Sequence, residues 1–117
     1  MTENSNADGN GNPDPAPDRV PDGNGDILDG LFAVVQDRKE HLPEGSYTAS
    51  LFTHEKGQNA VLEKLGEEMT ELVLAAKDEN EEAIVHESAD LVYHLLVLLA
   101  IHGLDLDDLR AQLRERR

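Results

Sequence analysis

Cysteine and tryptophan are absent from this chain, and only two tyrosines and two phenylalanines carry aromatic rings. Without thiols there is no disulfide staple and no thiolate zinc site, which fits a reducing compartment. Positive charge is scarce as well: ten Lys and Arg stand against 25 Asp and Glu, a formal net charge of −15. Such a field repels nucleic acid and anionic membrane, so neither is expected as a partner. A polyphosphate substrate would be repelled too, unless divalent cations stood between. Two explanations of the acidity stand side by side. One is a high-salt cytoplasm that screens self-repulsion; the other is an ordinary acidic protein with an acidic tail. Long apolar runs are also missing. The oiliest, 91–101, falls short of the roughly 20 residues that a bilayer-spanning helix needs. No basic-then-apolar leader opens the chain. These absences lead to the expectation of a soluble, cytoplasmic, single-domain protein with a modest core.

What is present divides in two. Residues 1–25, "MTENSNADGNGNPDPAPDRVPDGNG", are rich in Asn, Asp, Gly and Pro. They hold too little apolar surface to offset the entropy of ordering them, so a disordered acidic tail is expected. From residue 26 to 117 the texture is helical. Ile27, Leu28, Leu31, Val34 and Val35 fall at helical spacing behind Asp26, a plausible N-cap. Pro43, Glu44 and Gly45 break that helix, and a loop follows with a short helix after Ser46, whose hydroxyl can cap it. A long helix is predicted from about Gly57 to Lys77, then a turn at 78–82 with Asp78 or Asn80 as the next cap. An oily helix runs from about Glu81 to His102, and Gly103 sits where a C-terminal glycine belongs. "DLDDLRAQLRERR" makes a last helix, acids first and arginines last, as the helix dipole prefers. No strand-like alternation interrupts this, so the fold class is all-α, a bundle of about four helices.

The two long helices carry acids in the wrong places. On the first, Leu65, Met69, Leu72 and Ala76 mark a core face, and Glu68 falls on the core side, between Leu72 and Ala75. Glu71 and Lys64 fall on its edge, and Glu63 and Glu67 fall where solvent is expected. On the second, which should be buried on almost all faces, Glu87, Asp90 and His94 recur at i, i+3 and i+7 along one side. A buried carboxylate needs a partner. No arginine stands between Arg38 and Arg110, which leaves mainly Lys64 or Lys77 to neutralise four acids. That imbalance points to a divalent metal. Oxygen ligands favour Mg²⁺, with Mn²⁺ as the other option. His94 is more readily a hydrogen-bond partner of such a site than a ligand.

The motif Glu68-x-x-Glu71 followed by Glu87-x-x-Asp90 resembles the metal signature of the all-α, MazG-like nucleoside triphosphate pyrophosphohydrolases. "KLGEEMTELVLAAK" and "ESADLVYHLLVLLAIHGL", with "GSYTASL" ahead of them, narrow the likeness to the phosphoribosyl-ATP pyrophosphohydrolase family of histidine biosynthesis. The likeness spans about residues 27 to 115. It implies Mg²⁺-dependent hydrolysis of phosphoribosyl-ATP to phosphoribosyl-AMP and pyrophosphate by a homodimer. By position, Glu68, Glu71, Glu87 and Asp90 would hold metal, and Glu67 or Glu71 would activate water. Lys64 would contact phosphate, and Ser46, Tyr47 and Thr48 match a loop that can touch substrate. Lys77, Tyr93 and His94 match the family pattern without an assigned role. The acidic tail is outside that pattern, and no domain for the next pathway step is expected on the chain. The alternative is a housecleaning pyrophosphohydrolase of the same superfamily, acting on non-canonical nucleotides; Tyr93-His94 and "GSYT" favour the histidine-pathway reading over it. A non-enzymatic helical interaction domain is the alternative of a different class, in which the acids would only solubilise.

Overall fold

Helix boundaries in this chain follow from who satisfies the terminal backbone groups. The computed structural model describes residues 26–117; the acidic tail at 1–25 lies outside the described residues. Among the described residues there are five helices: α1 (Ile27–His41), α2 (Tyr47–Phe52), α3 (Gln58–Lys77), α4 (Glu81–Ile101) and α5 (Leu106–Glu115). Asp26 caps α1 by accepting from the Leu28 N–H at 2.9 Å, and Ser46 caps α2 by accepting from the Ala49 N–H at 3.0 Å. Of the two candidates in the α3–α4 turn, Asn80 is the cap, accepting from the Ala83 N–H. Asp78 instead ends α3.

Gly103 has φ of 71°, and around it the Gly103 and Leu104 N–H groups return to the Ala100 and Leu99 carbonyls. That paired closure is the Schellman arrangement. α3 closes in the same way around Glu79, at φ of 56° without the help of glycine. α5 opens with a reciprocal capping box between Asp105 and Asp108.

The architecture is an α3–α4 antiparallel hairpin with α1 and α2 laid against it. Phe32 and Val35 from α1, Leu51 from α2, Val61 from α3, Leu96, Val97 and Ala100 from α4 and Leu106 from α5 form one buried cluster. Two side chains tie helix ends together. Lys39 Nζ donates to the Ala100 carbonyl at 2.7 Å, placing a cation on the negative end of α4. Arg110 on α5 grips Asp29 with both guanidinium nitrogens and reaches Asp26 at 2.7 Å, which fastens the last helix to the start of the first. That grip holds the Asp29 carboxyl below its ordinary range.

Two expectations about faces are corrected. On α3 the buried stripe is Val61, Glu68 and Ala75, at i, i+7 and i+14, while Met69 and Ala76 are exposed. The core face is rotated toward Glu68, because α4 packs on that side. On α4 only His94, Leu96, Val97 and Ala100 are buried, and Val85 and Val92 face outward. Within one chain nothing among the described residues covers them. By length and composition α4 would pass for a membrane span, which the apolar run at 91–101 alone did not suggest. Its acids at Glu87 and Asp90 and its packing between α3 and α1 are those of a bundle's central helix.

Candidate active site

Glu68 is where the two long helices expose their chemistry. It sits on the buried stripe of α3, 9% exposed, and faces the polar half of α4. Its Oε1 is the one buried side-chain polar atom without a hydrogen-bond partner among the described residues. His94 Nδ1 lies 3.0 Å from it. That nitrogen, however, also lies 2.9 Å from the Asp90 carbonyl, the direction in which its proton makes a hydrogen bond. Burial and the neighbouring charges of Asp90, Glu87 and Glu67 push the Glu68 carboxyl above its ordinary range, with Lys64 pulling the other way.

The His94 ring is fully engaged. Tyr47 Oη lies 3.1 Å from His94 Nε2. Burial, with Glu68, Asp90 and Glu67 close by, pushes the Tyr47 phenol up to about 12, so it keeps its proton and donates. His94, its pKa lowered mainly by burial, is then the neutral tautomer with its proton on Nδ1, given to the Asp90 carbonyl. A ring with both nitrogens occupied orients its neighbours; it is not free to ligate. Tyr93 stands edge-on to His94 and bonds Thr48, so α2 and α4 are joined by a Thr48–Tyr93 and Tyr47–His94 pair of contacts. Ser46 is buried and serves as the α2 cap. Its neighbours Tyr47 and Thr48 are thereby held against α4.

The carboxylates divide. On α4, Glu87 and Asp90 are half-buried, and their oxygens together with a ring nitrogen of His86 lie within 4.8 Å of one another. Glu68, on α3, is not one of these three, but burial and then the charges of Asp90 and Glu87 raise its carboxyl's pKa. Glu71 is exposed and borders a shallow groove of about 450 Å³ with Glu63, Gly66, Glu67 and Thr70. Glu67 is exposed and pairs with Lys64 at 3.6 Å. Lys64 is half-buried and lines a second cleft, between α2 and α3. Lys77 lies at the far end of α3, roughly 20 Å along the axis from Lys64 at 1.5 Å per residue, and lines neither cavity.

His86 was missed in the sequence. Its signal was present: it precedes Asp90 by four residues, and its Nε2 lies 3.3 Å from Asp90 Oδ2.

This donor set fits a hard divalent cation. An orphaned buried oxygen on Glu68 and two further carboxylates repel one another when nothing stands between them, and oxygen ligands suit Mg²⁺. His86, if it joined, would suit Mn²⁺ better.

Without metal, Glu68 has a measurable cost. Its folded-state pKa is raised, so the neutral form is favoured on folding; stability is fully present below the ordinary carboxylate range and is lost as pH rises through the raised value. In chelator, Glu68→Gln is expected to melt above the wild type at neutral pH, an advantage that shrinks as pH falls into the carboxylate range. A Gln variant melting below the wild type at pH 7 would contradict this account.

The family model for phosphoribosyl-ATP pyrophosphohydrolase matches residues 28–117. The chain belongs to that family. Among its relatives, the phosphoribosyl-ATP pyrophosphatase of Haloarcula marismortui is 70% identical over 96 residues, covering 82% of this chain and 98% of the relative. That of Halobacterium salinarum is 56% identical over 93 residues, covering 79% of this chain and 98% of the relative. The enzyme of the same name from Methanosarcina barkeri is 45% identical over 97 residues, covering 83% of this chain and 93% of the relative. The family match begins one residue into α1 and takes in the rest of the described helices, with Glu67, Glu68, Glu71, Glu87 and Asp90. The first two of these relatives come from salt-loving archaea, which fits the high-salt reading of a net charge of −15.

Proposed function

We propose that this protein hydrolyses phosphoribosyl-ATP to phosphoribosyl-AMP and pyrophosphate, an early step of histidine biosynthesis, at a Mg²⁺ site between α3 and α4. The observation that carries the reading is the buried Glu68 oxygen without a hydrogen-bond partner, on the face of α3 that packs on α4. Burial raises its carboxyl's pKa, and the charges of Asp90 and Glu87 are near enough to raise it further. Glu68, Glu87 and Asp90 would hold the metal, and Glu71, one turn along α3 from Glu68, would complete the set from the solvent side. When bound, Mg²⁺ supplies charge for the phosphates and acidifies an attacking water.

The chain's own residues do the rest. Lys64 offers a point charge to phosphate from the edge of α3. Tyr47, held protonated, and His94, held neutral, fix the α2–α4 wall without adding negative charge. Glu67 or Glu71, exposed beside the cluster, accepts the proton of the water. The water's oxygen bonds to phosphorus as the α–β anhydride bond breaks, and pyrophosphate leaves with the pair of electrons.

The same reading places the enzyme in the cytoplasm, as a homodimer. Leu62, Met69 and Val73 on α3 and Val85 and Val92 on α4 form outward apolar stripes on the hairpin, and a second copy would remove them from water. Sedimentation at the mass of a single 12.9 kDa chain would remove that part of the proposal.

Pyrophosphate release from phosphoribosyl-ATP is expected to require added Mg²⁺ and to exceed release from a panel of deoxy and non-canonical nucleotides. Release that is indifferent to chelator, or faster on the panel, would replace this reading with another.

A further inference from the structure

Four lysines are all this acidic chain has, and the fold accounts for two of them. Lys39 sits on the Ala100 carbonyl, and Lys77 stands in the last turn of α3, where a cation suits the dipole. The other two, Lys56 and Lys64, line one cleft of about 260 Å³ between α2 and α3, together with Tyr47, Ser50, His54 and the carboxylates of Glu63 and Glu67. Each is paired with a glutamate of the same cleft, Lys56 with Glu63 at 3.0 Å and Lys64 with Glu67 at 3.6 Å. Both pairs are open to water, so two of the four lysines stand together in exchangeable pairs that an anion of higher charge can take over.

We propose that this cleft seats a phosphomonoester, namely the 5-phosphate of the substrate's phosphoribosyl group, and so selects phosphoribosyl-ATP over plain nucleoside triphosphates. The inference rests on the hydrolytic reading above and names the part of the substrate that reading leaves unplaced.

The turn that carries Lys56 is held in shape. His54 Nδ1 accepts from the Lys56 N–H at 3.0 Å, and the His54 carbonyl accepts from the Gly57 N–H at 2.9 Å. Gly57, at φ of 62°, then lets the chain turn into α3. With Nδ1 accepting, the neutral His54 ring keeps its proton on Nε2, which makes it a donor. Lys56 Nζ rests on the two Glu63 oxygens at 3.0 and 3.3 Å. Both partners are half exposed to water, so the pair is weak and easily exchanged. An arriving phosphate dianion, with more charge than one carboxylate, takes Lys56 from Glu63. Tyr47 and Lys64 belong both to this cleft and to the surroundings of Glu68. One molecule can therefore lay its triphosphate toward the acids and its second phosphate in the cleft.

The test is calorimetric titration of the full-length protein with phosphoribosyl-AMP and, separately, with AMP, which lacks the second phosphate. The wild type is expected to bind phosphoribosyl-AMP about tenfold more tightly or better, the worth of a charge-assisted contact. Lys56→Ala is expected to lower that ratio about tenfold, Lys56→Arg to restore part of it, and Glu63→Gln to raise it by freeing Lys56. A ratio near one in the wild type, or one that ignores Lys56→Ala in a variant of normal circular dichroism, overturns the proposal. Pyrophosphate release by the same wild-type sample separates the two readings. A Lys56-dependent ratio without release leaves the cleft standing and removes the hydrolysis; release with a Lys56-independent ratio removes the cleft alone.

Discussion

Glu87→Gln is expected to abolish pyrophosphate release from phosphoribosyl-ATP, by roughly a thousandfold or more, while the far-ultraviolet circular dichroism stays that of the wild type. The size follows from what a metal supplies to phosphoryl chemistry: several kcal/mol of charge stabilisation in the transition state, each ~1.4 kcal/mol being tenfold in rate. Glu87 is one of the α4 carboxylates whose oxygens converge with Asp90 and His86, and its charge also reaches Glu68. Glutamine keeps the shape and removes the charge, so the site is left short of one anionic ligand. The fold is not expected to suffer, since Glu87 is half-buried and lies outside the apolar cluster. In chelator the variant is expected to melt at or above the wild type, because one repulsion toward Glu68 and Asp90 is gone. A variant that retained a tenth of the activity at saturating Mg²⁺ would remove Glu87 from the site, and one that unfolded would make its role structural.

Leu96→Ala makes the opposite separation, with a large loss of stability and no direct effect on the acids. Leu96 is 1% exposed in the cluster where α4 meets α1, α2 and α3. Truncating a fully buried leucine costs about 2–5 kcal/mol, part lost transfer energy and part cavity. For a domain of this size that lowers the melting temperature by on the order of 10–20 °C. Thermal melts in Mg²⁺ buffer at high salt check it. A fall of only a degree or two would mean that the cavity collapses, and that the cluster is looser than its burial indicates.

Where the candidate acids fall on their helices was legible in the sequence, and the reason is local. Glu68 fell on the core side of its helix on a 100° projection, and Glu87 and Asp90 recurred on one side of the next. Those positions depend only on helical geometry. The angle alone placed the face too far round, toward Met69 and Ala76. It took the contact with α4 to show that Glu68 lies in the middle of the buried stripe and Met69 outside it. That His86 converges with Glu87 and Asp90, and that Glu71 borders a separate groove with Glu63, Glu67 and Thr70, appeared only once side chains had chosen rotamers against real neighbours. The cleft of Lys56 and Lys64 was likewise invisible in one dimension. Its two walls belong to different helices, and nothing in the spacing of 54, 56 and 64 says that α2 stands opposite.

The starts and stops of the helices were therefore set by the amino-acid order: Asp26, Ser46, Asn80 and Gly103 each satisfy backbone groups within a few residues of themselves, an interaction that needs no distant partner. The composition likewise decided the charge, a formal −15 over the chain. Which face of α3 meets α4, which oxygen of Glu68 is left without a proton donor, and which lysines share a cavity were decided only by the packed chain. Those outcomes depend on contacts between residues far apart in sequence, where side-chain shape and burial choose among arrangements that local geometry leaves equal.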